Sequence, residues 1–307
     1  MRNALRGVLE RSPPAGGNRG RSAGVRGSVV EKGARVFARV LVWLAFGALL
    51  GAGAPASSEP PQTRLWLWAW ERPEDLRFLA GRSDVGVAYL ARTVVVAGDG
   101  VTVRPRRQPL RVAEATVLTA VVRIEVLRGL APAPATLDAV VHEAALALEG
   151  TRARRLQLDF DARTSEIPYY RELLTRLRPL LPRDVRLGIT ALAAWCADGR
   201  SWLASSPLPP VDDVVPMVFS MGGDSARVRA WLGARGGFTV DACRRDFGVS
   251  VAEPVVPPET SLVVHAFSPT AWTPSLFRRA AGIASVAPLT SVESERFQSP
   301  SQESAPR

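Results

Sequence analysis

"RRLQLDFDAR", residues 154–163, sets two carboxylates, Asp159 and Asp161, two positions apart in a run that otherwise has the composition of a buried strand. Successive side chains of a strand point to opposite faces. Leu156, Leu158 and Phe160 therefore share one face, and Gln157, Asp159 and Asp161 share the other. An apolar face backed by a carboxylate face is costly in a flat sheet covered on both sides, because each buried charge needs a partner. It is costly in a barrel lumen as well, which branched apolar side chains normally fill.

The surrounding chain has the matching rhythm. Short β-rich runs recur at 64–70, 85–91, 118–125, 155–161, 186–195, 214–220, 247–253 and 262–268. Between them lie amphipathic stretches, which is the pattern of a parallel sheet wrapped by helices. Eight such runs predict an α/β fold of the (β/α)8 TIM-like barrel type. Leu137, Val140, Val141, Ala144, Ala145 and Leu148 have helical spacing and are followed by Gly150. Helices are also expected over 168–181, over 225–233 with Gly233 as the stop, and over 273–281 with Thr273 as N-cap ahead of Pro274. The second unit is irregular. "TVVVAGDGVTVRPR", 93–106, reads as a hairpin about Gly98-Asp99-Gly100 where a crossover helix is expected.

Two aspartates on one lumen face repel each other and lose hydration, which raises the pKa of at least one unless a cation compensates. The neighbouring run supplies Arg123 and Glu125 on a common face. Carboxylates sharing a site with an arginine at the C-terminal mouth of a barrel suit general acid/base chemistry. On this reading Asp161 is the acid/base and Asp159 its neighbour tuned by Arg123, with Glu125 and Gln157 in support. An architectural Asp159–Arg123 salt bridge is the alternative. Glu253, before Pro254 at the end of run seven, is expected to face the pair across the mouth as nucleophile or base, with solvent exposure as the alternative. Glu166 either joins the rim or caps the helix near Pro168, and capping is the reading preferred.

Trp66, Trp68 and Trp70 alternate in run one and share a face. Three indoles exceed what a small lumen ordinarily holds, so they are expected under the helices, with Trp70 near the rim. Trp195 and Trp272 are also expected at the rim, where indoles would stack on sugar rings, with core packing as the alternative for each of the rim tryptophans. Met217, Phe219 and His265 read as core.

The chain of 307 residues has a formal charge of +10. Residues 1–39 hold nine basic and two acidic side chains, so +7 of that excess belongs to the leader. No basic patch interleaved with aromatics occurs elsewhere, which argues against nucleic-acid binding. Val40–Leu50 is an apolar run of 11 residues, too short for a membrane span of about 20. It fits a signal peptide cleaved after Ala54-Pro55-Ala56, or else an uncleaved anchor, in which case the leader is the only membrane contact. The domain reading is a leader over 1–56, one barrel over 57–288 and a polar tail over 289–307, in an exported, periplasmic or extracellular protein. Cys196 and Cys243 are the only cysteines and, outside the cytoplasm, could be paired or free. No metal site or cofactor is expected, because two Cys and two His are too few for a zinc site of the usual kind. P-loop, dinucleotide and Gly-x-Ser-x-Gly patterns are missing.

"WAWERPEDLRFL", "VVRIE", "LQLDFDARTSEIPYYRELLTRLRPLLP", "ITALAAWC" and "VVPMVFSMG" together resemble an exported bacterial family known as a domain of unknown function, over about residues 64–273. More distantly, the fourth run is similar to that of chitinase-type glycoside hydrolases, in which alternating acidic residues end in a catalytic glutamate. Asp159 and Asp161 match the last two aspartates of that pattern, and Arg163 stands where the glutamate belongs. A second barrel clan, with its acid/base after strand four and its nucleophile after strand seven, would imply those roles for Asp161 and Glu253, although the usual Asn-Glu pair of strand four is missing here. The resemblances imply a carbohydrate ligand and either a glycoside hydrolase or a barrel that binds glycans without cleaving them.

Overall fold

All eight β-rich runs form strands in the computed structural model, which describes residues 63–285 apart from 198, 206, 208, 209 and 222–224. These residues lie in the compact unit Ser57–Arg307. The leader, its cleavage position and the tail from 289 fall outside the described residues.

In chain order the strands are β1 (Leu65–Ala69), β2 (Glu74–Asp75), β3 (Val85–Ala97), β4 (Gly100–Pro105), β5 (Leu110–Arg111), β6 (Val117–Val126), β7 (Arg155–Asp159), β8 (Arg186–Leu192), β9 (Asp213–Met217), β10 (Asp246–Ser250) and β11 (Val263–Phe267). Eight of them, β1, β3 and β6 to β11, pair in parallel, and β1 bonds both β11 and β3. The sheet therefore closes on itself as a (β/α)8 TIM-like barrel. The helices are α1 (Leu137–Leu146), α2 (Ile167–Leu177), α3 (Ala193–Ala197), α4 (Ser225–Arg235) and α5 (Pro274–Ala284). The Thr273 hydroxyl accepts the Leu276 N–H at the start of α5, with Pro274 in the first turn, as the capping pattern requires. α4 passes through Gly233 and ends at Arg235, before Gly236 with φ +70°. A glycine in a helix costs about 1 kcal/mol, whereas one in the left-handed region ends the helix at little cost, so Gly236 is the effective stop.

The irregular second unit is a hairpin. β3 runs beyond the barrel and pairs antiparallel with β4, and β5 then pairs with β2 in a separate two-stranded sheet. The Leu127 N–H donates to Val96 and the Ala133 N–H to Gly98, so the segment after β6 is tied to the hairpin. The result is a raised wall on one side of the mouth.

The lumen departs from expectation. Trp66 and Trp68 pack inside it with Ala88, Leu90, Val121, Val263 and Phe267 rather than under the helices. Room is made by glycines, one of them, Gly86, standing directly beside Trp66 on the neighbouring strand β3. A Cβ on Gly86 would lie 2.5 Å from Trp66, and one on Gly248 would lie 2.9 Å from Met217. Trp66 fits because Gly86 has no side chain there, and Met217 is accommodated against Gly248 in the same way.

At the N-terminal floor of the lumen, Asp213 binds Arg155 and Arg186, each at 2.6 Å. Burial pushes the Asp213 carboxyl up, but the two guanidiniums outweigh it and hold the carboxyl below its ordinary value. His265 is core, as expected, with Nε2 2.9 Å from Asp246 and its ring stacked near Trp66. Gln157 also faces the lumen, as the alternation requires, but at this floor, where it lines a small void of about 10 Å³. It is remote from the mouth chemistry suggested for it. Cys196 and Cys243, 47 positions apart, are joined in a disulfide with Cα atoms 5.7 Å apart. Among the described residues no helix is long and apolar enough to cross a membrane.

Candidate active site

The end of β7 brings the central groups together. Asp159 is its last residue, pointing into the lumen, and Asp161 lies two positions further on, exposed at the mouth. Both line a cleft of about 380 Å³ with Arg123, Trp70, Leu192, Met217 and Phe219. The register sets Arg123 of β6 directly beside Asp159.

Asp159 is 7% exposed. The Thr190 hydroxyl donates to its Oδ1 at 2.9 Å and Arg123 Nη1 donates to Oδ2 at 3.3 Å. Arg123 is shared, because its Nε also donates to Glu125 at 3.0 Å, and Glu125 in turn binds Arg104 at 2.8 Å. Burial pushes the Asp159 carboxyl up to about 6, Arg123 draws it down, and the Asp161 charge adds to the rise. Asp213 shows the opposite balance, with two close arginines where Asp159 has one divided between two acids. One barrel thus contains a carboxyl held ionised at the floor and one poised to carry a proton at the mouth. Asp161 makes no hydrogen bond or ion pair among the described residues, so its oxygens are open to the cleft.

Trp70 is at the rim, as expected. The Arg123 guanidinium lies 5.5 Å from its ring centroid. Arg106, at the foot of the hairpin, donates to the carbonyls of Ala69, Trp70 and Arg72, fixing the backbone that carries the indole. Met217 and Phe219, expected in the core, are half-buried and form the apolar side of the cleft.

Other expected site residues are elsewhere. Glu253 accepts from Arg229 at 3.0 Å and from the Ser220 N–H at 3.3 Å, and it does not line the cleft with the aspartates. An arginine of α4 captures it, and that helix lies between β9 and β10 in sequence. Trp195 is on α3 rather than on a strand and packs edge-on against Trp202. Trp272 is buried, with Nε1 donating to the Trp68 carbonyl and its own N–H donating to Glu74. Both indoles are structural. Glu166 is buried and accepts the Arg163 N–H at 2.8 Å, which is the capping role. Its other oxygen is 3.3 Å from Arg163 Nε. Arg163, where a chitinase pattern has its glutamate, is therefore engaged beside the cleft.

Two participants were not anticipated. Thr190 follows Gly188 at the next inward position of β8, so the period-2 rule that found Asp159 could have found it too. Ser220 has φ +52°, a left-handed conformation uncommon for a residue with a side chain, at the edge of the cleft. Nothing local in "FSMG" signals it. Among the described residues no group of three or more His, Cys, Asp and Glu side chains is arranged to hold a metal ion.

The fold is similar to two solved proteins. The Bacillus cereus spore cortex-lytic enzyme SleL aligns at 15% identity with a TM-score of 0.39, over 62% of this chain and 51% of that one. The Bacillus megaterium QM B1551 spore cortex-lytic enzyme SleL aligns at 12% identity with a TM-score of 0.40, over 62% and 52%. The chain thus spans about half the length of the solved proteins it matches. No curated protein sequence matches it. Residues 116–223 match the family described as Domain of unknown function (DUF3142), and the matched segment contains Arg123, Asp159, Asp161, Thr190 and Met217.

Proposed function

We propose that the protein is an extracytoplasmic glycoside hydrolase-like enzyme that acts on a polysaccharide or envelope glycan through carboxylate acid/base chemistry. The observation that carries this reading is the division of labour in one open cleft. Asp159 holds a proton up to about pH 6 because it is buried, while Asp161, two residues on, is exposed to whatever fills the cleft. A buried carboxyl that keeps its proton, set beside an exposed one in the same cleft, is an arrangement suited to acid/base chemistry. Asp161 is the group that reaches substrate, as general acid/base. Asp159 is the proton reserve behind it, held in place by Thr190 and Arg123. Trp70 offers an apolar face suited to a sugar ring. The extracytoplasmic setting rests on the leader sequence and belongs to the proposal.

A second reading is a barrel that binds glycans without cleaving them. Its specific support is that Glu253, the expected second acid, is engaged by Arg229, and that Arg163 occupies the expected glutamate position. Release of reducing ends from a panel of bacterial envelope and exopolysaccharides, by the full chain and by Asp161→Asn, separates the two. Turnover lost in a variant with an unchanged melting temperature supports the hydrolase. Glycan binding without turnover, persisting in the variant, sinks it in favour of the binding module.

A further inference from the structure

The catalytic cleft is one of three compartments that meet at Arg123. A second, of about 870 Å³, runs past Asp161 to Arg128 and Arg163. A third, of about 480 Å³, follows Trp70 along the hairpin to Arg104 and Arg107. Each falls in the range of about 300–1,000 Å³ usual for one small-molecule site. Joined through a shared side chain, the three make a groove suited to a chain rather than to a single small ligand.

Five arginines and five carboxylates line this groove, so net charge does not select the sign of a ligand. The pairing does. Glu125 is divided between Arg104 and Arg123, Glu166 is engaged by Arg163, and Glu71 accepts the backbone N–H groups of Arg107 and Gln108. Asp159 is held by Arg123 and Thr190. Among the described residues the charged side chains of this groove that make no hydrogen bond or ion pair at all are Arg107 on one flank, Arg128 on the other and Asp161 between them. Both arginines are exposed.

Resting on the hydrolase reading of the same site, we infer that the substrate is an acidic glycan in which carboxylate-bearing residues alternate with uncharged ones. Guanidinium forks on the flanks match carboxylates. The centre is different. A carboxylate-bearing sugar there would be repelled by Asp161, and an uncharged one would not. A nucleic acid carries a phosphate at every unit and would bring one onto that carboxylate.

The test is direct binding of a hyaluronan oligosaccharide at low salt, beside its carboxyl-reduced form and a single-stranded DNA of equal charge. The proteins compared are the full chain, Asp161→Asn, and the double variant Arg107→Gln with Arg128→Gln. The acidic oligosaccharide is expected to bind about tenfold more tightly than the reduced one, from two exposed ion pairs worth up to about fivefold each. The double variant should lose that preference while keeping its melting temperature and its affinity for the reduced form. Equal binding of the two oligosaccharides, a preference that survives in the double variant, or tighter binding of DNA would each overturn the inference. Because binding is measured in Asp161→Asn as well, the two proposals fail separately. An acid preference without turnover removes the hydrolase and keeps the groove assignment, whereas cleavage of neutral glycans with no acid preference does the reverse.

Discussion

Replacing Asp159 by Asn tests whether burial or Arg123 dominates at the mouth of the barrel. The carboxyl moves from an ordinary 3.8 to about 6 on folding, because burial outweighs the guanidinium. The folded protein therefore binds one more proton than the unfolded chain between about pH 4 and pH 6. Stability supplied by this group is fully present below pH 4 and is lost as pH rises through 6. At about 1.36 kcal/mol per unit, the loss approaches about 3 kcal/mol at pH 7. Asn at this position cannot ionise. Its carbonyl can still accept from Thr190, and the cost of setting an amide against Arg123 is the same at every pH in this range. Urea unfolding of the full chain and Asp159→Asn at several values from pH 4 to pH 8 should show the difference between them shift by about 3 kcal/mol in favour of Asn as pH rises. A difference that stays constant would refute the buried, proton-holding carboxyl. A shift of opposite sign would mean that Arg123 wins over desolvation, and Asp159 would then be a plain salt bridge of the architecture.

Further consequences concern the network and the packing. With a cleavable glycan in hand, activity that depends on protonated Asp159 should decline above about pH 6. Arg123→Ala removes the group that lowers this carboxyl, so the decline should move to higher pH in a pH–rate profile; movement to lower pH would contradict the assignment. Gly86→Ala should destabilise by about 1–3 kcal/mol, because its Cβ would fall 2.5 Å from the buried Trp66 ring. Gly282→Ala, in α5 with nothing within 4 Å, should instead stabilise by up to about 1 kcal/mol, and equal thermal shifts for the two would undo the lumen argument. Reduction of Cys196–Cys243, which closes a loop of 47 positions, should cost about 4 kcal/mol by loop entropy, read from urea unfolding with and without reductant.

Much of the architecture was legible in local patterning. Strand spacing, the hairpin that replaces a helix, the Thr273-Pro274 start of α5 and the inward face of Gln157 and Asp159 follow from rules that look no further than a few residues. Those rules worked on β7 because its two faces differ in chemistry. They failed on β1, where "LWLWA" is apolar on both faces and alternation carries no information about which face is inside. There the decision belongs to Gly86, on the neighbouring strand β3, whose missing side chain leaves space for Trp66.

The candidate site divides in the same way. That two carboxylates share a face beside an arginine was determined by the sequence alone, since side-chain alternation and the pairing of successive strands suffice for it. Only the tertiary structure decided that Asp159 is the carboxyl raised to about 6, that Glu253 is taken by Arg229, and that Trp195 and Trp272 pack away from the cleft. Each of these depends on how deeply a group is buried and on which distant partner reaches it first. Burial and competition for partners are properties of the closed barrel, and they have no counterpart in the order of residues along a single strand.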